Sequence, residues 1–254
     1  MRIKYRLKEE PIFGYKYLDP LPSKLKLKHF YAEKYSLKIQ KEGRRKEARL
    51  IDKDSEIKKK ELEWLEQTYF GDCLAIFSEF LPSCRRKILD IGCGSGDFLK
   101  FMKKFGWIVF GIEPSKDFFK EAKEKKIRVY NLSFEEFIDR KGTENKFNVI
   151  VLDNFLEHIP RPKETIMNCR KLLSPNGILY IKVPNDFNKL QLLAQRKVKK
   201  KQWWVASPDH INYFNFNALE KLLEFCGFEI FLRTTDFPME LFLLMGRIMS
   251  IILK

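Results

Sequence analysis

The segment Lys87-Ile88-Leu89-Asp90-Ile91-Gly92-Cys93-Gly94-Ser95-Gly96-Asp97 constrains the fold more than any other part of this chain. A short apolar run enters three glycines spaced by one residue, and a helical pattern from Asp97 to Phe105 follows at once. Glycine adopts backbone conformations closed to other residues and lets a ligand approach the main chain. The start of the next helix offers N–H groups that have no partner within the helix. Strand, tight turn and helix in that order predict a βα unit, with its ligand crevice at the carboxyl end of the strand.

The rhythm then repeats. Apolar runs at Trp107 to Ile112, Ile127 to Tyr130, Phe147 to Leu152 and Ile178 to Val183 read as strands. Helical patterns at Ser115 to Lys125 and Pro162 to Leu173 separate them, the second closed by Ser174-Pro175-Asn176-Gly177. Phe147 to Leu152 is apolar enough to be buried on both faces, as a central parallel strand is. Later, Asn188 to Lys201 and Asn217 to Cys226 read as helices and Phe228 to Thr234 as a further strand. The expected architecture is α/β, a doubly wound, mostly parallel sheet of about six or seven strands with helices on both faces. Residues 1–68 read as a charged, partly helical extension, with a helical pattern from Glu61 to Phe80. Residues 69–254 read as the ligand-binding domain, with a substrate-facing insertion at about 186–216.

The turn departs from a dinucleotide site. That fingerprint is G-x-G-x-x-G, whereas here the spacing is G-x-G-x-G and Asp97 stands where the last glycine or alanine would fall. An acid there opposes a pyrophosphate and suits a ligand without phosphate. The second strand runs into Glu113, about twenty residues past Gly94, where a carboxylate can accept hydrogen bonds from ribose hydroxyls.

These residues resemble motif I of class I S-adenosylmethionine (SAM)-dependent methyltransferases, Rossmann-like enzymes. The resemblance extends through Val149-Ile150-Val151-Leu152-Asp153-Asn154-Phe155-Leu156-Glu157-His158-Ile159-Pro160-Arg161-Pro162, the stretch Trp203 to Phe214, and Cys226-Gly227-Phe228-Glu229. It looks closest to the small-molecule, quinone-methylase-like branch. The resemblance implies that Asp90, Gly92, Cys93, Gly94 and Gly96 frame the methionine part of SAM and that Glu113 holds the ribose. It implies that Ser133 and Phe134 lie by the adenine, and Asp153 and Asn154 near the methionine end. The acid often found by the adenine is missing here, where the chain reads Asn131-Leu132-Ser133-Phe134.

The acceptor side is read from residue chemistry. A sulfonium methyl is already electrophilic, so a protein has mainly to hold the acceptor in line. A hydroxyl acceptor also needs a base, and histidine suits that near neutral pH. His158 and His210 are the candidates, each with a structural reading beside the catalytic one. Trp203, Trp204 and Tyr213, close to the basic run Arg196 to Lys201, are the expected acceptor contacts.

Lys and Arg outnumber Asp and Glu by 49 to 34, a net charge of +15. That balance favours anionic partners, so the small-molecule acceptor is expected to include anionic ones. A nucleic-acid methyltransferase is the alternative, favoured by charge and by the basic–aromatic run. Against it, residues 153–156 read Asp-Asn-Phe-Leu rather than Asn/Asp-Pro-Pro-Tyr. A non-catalytic SAM-binding module is a third reading. Five cysteines without a C-x-x-C pair and three histidines indicate neither a disulfide framework nor a metal site. The basic, polar N-terminus lacks a signal sequence, so a cytoplasmic setting is expected. Residues 241–253 are apolar but too short to span a bilayer, which leaves a buried element or a peripheral membrane contact. Family members commonly continue past this point, so a last strand is expected to be missing or replaced by 247–253.

Overall fold

A computed structural model describes residues 5–31, 56–81, 86–142, 144, 146–199, 201–235 and 240–241. Most of the charge-dense stretch from Lys41 to Lys60, and residues 242–253 of the apolar terminal segment, lie outside the described residues. The chain divides into two compact units. One holds residues 23–155 and 167–182; the other holds 1–22, 156–166 and 183–254.

The first unit contains a five-stranded parallel sheet. Its strands are β3 (Lys87–Ile91), β4 (Ile108–Ile112), β5 (Arg128–Tyr130), β6 (Phe147–Asp153) and β7 (Leu173–Lys182), in the order β5-β4-β3-β6-β7. The chain builds outward from β3 through β4 to β5, then crosses to the other side of β3 with β6. That reversal of direction is the switch point at which sheets of this kind open a crevice. Ile88, Leu89, Val149, Ile150 and Leu152 are fully buried. Each such side chain contributes roughly 1.5–3 kcal/mol on burial, well above any difference in helix propensity, so the strands fix the architecture. Helices α1 (Lys24–His29), α2 (Glu56–Gln67), α3 (Tyr69–Phe80), α4 (Asp97–Lys104), α5 (Lys116–Glu124) and α6 (Phe134–Lys141) belong to this unit. Helix α7 (Pro162–Leu172) begins in the second unit and ends in the first.

The second unit carries a three-stranded antiparallel sheet. The hairpin of β1 (Arg6–Glu9) and β2 (Lys16–Asp19) receives β8 (Asn212–Tyr213) on its β2 edge, with Lys16 opposite Tyr213. Helices α8 (Lys189–Val198) and α9 (Phe216–Phe225) complete it, each N-capped by an asparagine side chain, Asn188 and Asn215.

The α/β class and the parallel sheet are as expected; several elements differ. The sheet has five described strands rather than six or seven. Phe228 to Thr234 forms no strand, because no described segment pairs with it; Phe231 and Leu232 are exposed. The expected helix from Glu61 to Phe80 is two helices, broken where the Thr68 hydroxyl turns back to donate to the Trp64 carbonyl. Ser174 to Gly177, expected to be a turn, lies within β7, where the register against β6 shifts. The N-terminal segment, expected to be charged and partly helical, carries α1 and α2 and in addition the two strands β1 and β2.

Candidate functional site

The Gly92–Gly96 turn joins β3 to α4. Its entry is tied to the neighbouring strand, with Gly92 N donating to the Ile112 carbonyl at 2.8 Å. Gly96 has φ +76° and caps α4; a Cβ there would lie 2.7 Å from the Ile127 Cδ1 and 3.2 Å from the Ala122 Cβ. Glycine is therefore required for both conformation and close packing. Gly94 differs. It too has a left-handed φ, +53°, but a Cβ there would meet nothing within 4 Å. One side of the turn is packed and the other is open.

Glu113, just past β4, closes this geometry. Its Oε2 accepts from Gly94 N at 2.9 Å and its Oε1 accepts from Ser115 N at 2.8 Å. The carboxyl is buried, and burial pushes its pKa up to about 7 against the opposing pull of those two amides. Each carboxylate oxygen keeps a further lone pair for a ligand hydroxyl. Asn131 supports the same corner, its Nδ2 donating to the carbonyls of Glu113 and Pro114 at 2.9 and 3.1 Å.

Asp90, at the penultimate position of β3, is also buried. Its pKa lies well above the ordinary carboxylate range, first because of burial and then because of the charges of Asp153 and Glu113. Asp90, near the end of β3, thus feels the acids at the carboxyl ends of β4 and β6. Such a cluster attracts a cationic ligand and resists an anionic one. Asp153 stands opposite Lys182 across the β6–β7 ladder. Asn154, with φ +48°, donates its Nδ2 to Asp153 Oδ1 at 3.0 Å. Around Asp153 gather groups absent from the sequence expectations. Lys182 Nζ lies 4.0 Å from the Tyr69 ring centre, and Tyr69, Cys73 and Tyr180 interact through their polar atoms.

Ser133 and Phe134 begin α6. The Ser133 hydroxyl accepts from Glu136 N, and Glu136 Oε2 accepts from Ser133 N, a reciprocal capping box. The Phe134 ring is buried. The Ser133 side chain is thus engaged in starting a helix. The S-x-x-E spacing at Ser133 and Glu136 was a legible signal for that helix.

The expected acceptor-side residues fall in the second unit, whereas the cofactor-side residues fall in the first. His158 ends a single 3-10 turn, Leu156–His158, and is buried. Its Nδ1 donates to the Asp209 carbonyl at 2.8 Å, which leaves Nε2 as the basic nitrogen of the neutral ring. The His158 and His210 rings meet edge to face with centroids 5.0 Å apart. Donor atoms of Glu157, His158 and His210 all lie within 4.8 Å of one another, a set able to share a proton or a cation. Tyr213 is buried and donates its hydroxyl to the His210 carbonyl at 3.0 Å. Trp204 is buried too and packs on Trp203 and Phe187, with Tyr213 against the other contact of Phe187. Asp186, absent from the sequence expectations, is a buried carboxyl in the same unit, pushed up to about 7 by burial.

The sequence matches the family described as methyltransferase domain over residues 31–232. The chain belongs to that family. Among curated proteins it is similar to ubiquinone biosynthesis O-methyltransferases. It is 34% identical to that of Pasteurella multocida over 113 residues, 39% of this chain and 47% of the relative. For Histophilus somni the figures are 37% over 108 residues, 39% and 45%. The chain therefore matches about half the length of these relatives. Among solved structures, magnesium protoporphyrin IX methyltransferase of Synechocystis, with bound SAH, aligns with a TM-score of 0.56 at 16% identity, covering 78% of this chain and 90% of that one. A SAM-dependent methyltransferase of Archaeoglobus fulgidus aligns at 0.52 and 22%, covering 65% and 69%. These two likenesses establish the Rossmann-like methyltransferase fold.

Proposed function

We propose that this protein transfers a methyl group from SAM to an oxygen or carbon of a small-molecule acceptor. The observation that carries the reading is Glu113, a buried carboxylate holding the open glycine turn through Gly94 N. The acid cluster fits the ligand: SAM brings a sulfonium and an ammonium, and it has no phosphate to repel. In this reading Asp90 and the turn Gly92, Cys93, Gly94 and Gly96 frame the methionine part, Glu113 holds the ribose, and Asp153 and Asn154 face the amino-acid end. Ser133 and Phe134 would border the adenine through backbone and ring edge. When bound, SAM supplies an electrophilic methyl group.

Of the two histidines, His158 is the better general base, since its Nδ1–H is committed to the Asp209 carbonyl and its Nε2 lies 3.8 Å from the Glu157 carboxylate, which would stabilise an added proton. His210, in edge contact with it, orients that ring. Trp203 is the half-buried aromatic offered to an acceptor, with Trp204 and Tyr213 behind it as support. The names of the curated relatives favour oxygen as the target atom and a phenolic, quinone-like acceptor. The chain's positive charge extends that class to anionic acceptors and to acceptors met at a membrane surface. Among the described residues no helix is long and apolar enough to cross a membrane. The free thiols of Cys73, Cys93, Cys169 and Cys226 suit a reducing cytoplasm. Titration calorimetry with SAH tests the cofactor half; micromolar binding is expected, and none ends the proposal. Release of SAH from SAM over a panel of catechols and other phenols tests the other half.

A further inference from the structure

The packed side of the glycine turn is held by a cation that the family resemblance did not point to. Lys125 is the C-cap residue of α5, far from the turn in sequence. Its Nζ lies 2.6 Å from Asp97 Oδ1 and donates to the Ser95 carbonyl at 2.7 Å. The Ser95 hydroxyl donates to Asp97 Oδ2 at 2.6 Å, so both carboxylate oxygens of Asp97 are engaged. The pair is mostly withdrawn from water, with the side chains 17% and 12% exposed. At that burial the charges are weakly screened, and the ion pair has a defined geometry that a surface pair lacks. Burial nevertheless draws the Lys125 pKa down, so the ammonium is retained because Asp97 stands against it.

We infer that Lys125 is a positioning residue for the cofactor, fixing the glycine turn from behind through Ser95 and Asp97. The inference rests on the proposed SAM site. The turn is held from two sides. Glu113 takes the N–H of Gly94, and Lys125 takes the carbonyl of Ser95, the next residue. Two adjacent residues are thereby fixed by two separate side chains, while a Cβ at Gly94 would still meet nothing within 4 Å. Three acids already crowd the ligand side, and Asp90 feels the charges of the other two. An unpaired Asp97 would add a fourth acid and would be free to draw Ser95 out of place. Lys125 both neutralises that acid and holds the peptide. A turn set in advance binds its ligand without having to be ordered first, so the effect belongs in cofactor affinity.

The test uses the full chain and SAH as the probe. K125M is expected to weaken SAH binding about tenfold, within the range of coupling found for residues in one polar network. The loss should fall on the KM for SAM more than on kcat, and K125R should recover most of it. D97N/K125M should bind no worse than K125M alone, since both changes break one device. If K125M is unfolded, K125Q, shorter and neutral, is expected to show the same loss. SAH affinity equal to wild type in a folded K125M or K125Q of lowered Tm makes Lys125 a structural residue only and overturns the inference. Wild-type protein that binds no SAH removes the proposed site and the inference with it. Wild-type binding with unaltered variants removes the inference alone.

Discussion

The two units are built by opposite rules. The parallel sheet centres on β3 and β6, strands buried on both faces, and its strands alternate with helices along the chain. The antiparallel sheet joins β1 and β2, at the start of the chain, to the two-residue β8 near its end. The first unit positions its acids by local sequence, since Asp90, Glu113 and Asp153 each end or follow an apolar strand. The second positions His158, Asp209 and His210 by tertiary packing, with Ile211 N donating to the Glu157 carbonyl at 2.8 Å and the Asn212 side chain to the Ile159 carbonyl at 2.6 Å. The proposed binding device is thus carried on strand ends, while the proposed base is assembled from distant segments.

The division predicts that the units fail separately. The largest effect is expected from H158A, a loss in kcat of roughly 10²–10⁴-fold if His158 is the base, with SAH affinity within about twofold of wild type. Calorimetry beside kinetics checks it; weakened SAH binding would break the division. Next, E113A is expected to weaken SAH binding on the order of 100-fold, through lost ribose contacts and a loosened Gly94.

The pH response sharpens the same contrast. Ionised Glu113 is the stronger acceptor for ribose hydroxyls, and in the ligand-free protein it gives up its proton near pH 7. SAH affinity should therefore climb as pH rises through 7 and then level, and E113Q should flatten the curve. The stability sign is opposite. Between the ordinary carboxylate range and about pH 7 the folded protein retains a proton that the unfolded chain has released, so ligand-free stability should decline with rising pH across that window. Urea titrations at several pH values, with and without SAH, separate the two trends.

Two stability changes complete the order. G96A forces a Cβ against Ile127 at a left-handed φ and should cost about 1–3 kcal/mol, read from the shift in the urea midpoint. Y213F removes only the bond to the His210 carbonyl and should cost about 1 kcal/mol.

What could be read from sequence follows the same divide. Asp90, Gly94 and Glu113 were legible because strand period and turn chemistry are local. The hairpin at Arg6–Asp19 was not, since its charged residues mask strands whose partner lies at the other end of the chain. Tyr213 and Trp204 were read as acceptor contacts from their aromatic, polar neighbourhood; the packing that buries them depends on Phe187, which no local pattern announces. Lys125 read only as the last residue of a helix, because its partners Ser95 and Asp97 come from the turn before α4, about thirty residues earlier in the chain. The segment Phe228 to Thr234 has strand composition, yet composition cannot supply a neighbour to pair with.

Gly111 has one more consequence. With no side chain there, Cys93 tucks its sulfur behind the turn; a Cβ on Gly111 would lie 2.5 Å from that Sγ. The thiol is buried and its pKa is raised by burial, so an alkylating reagent meets it only while the turn is open. In a variant with its other cysteines replaced, the labelling rate at this one sulfur becomes a clock for turn opening. Cofactor should slow that clock, and loosening the struts at either end should make it run fast.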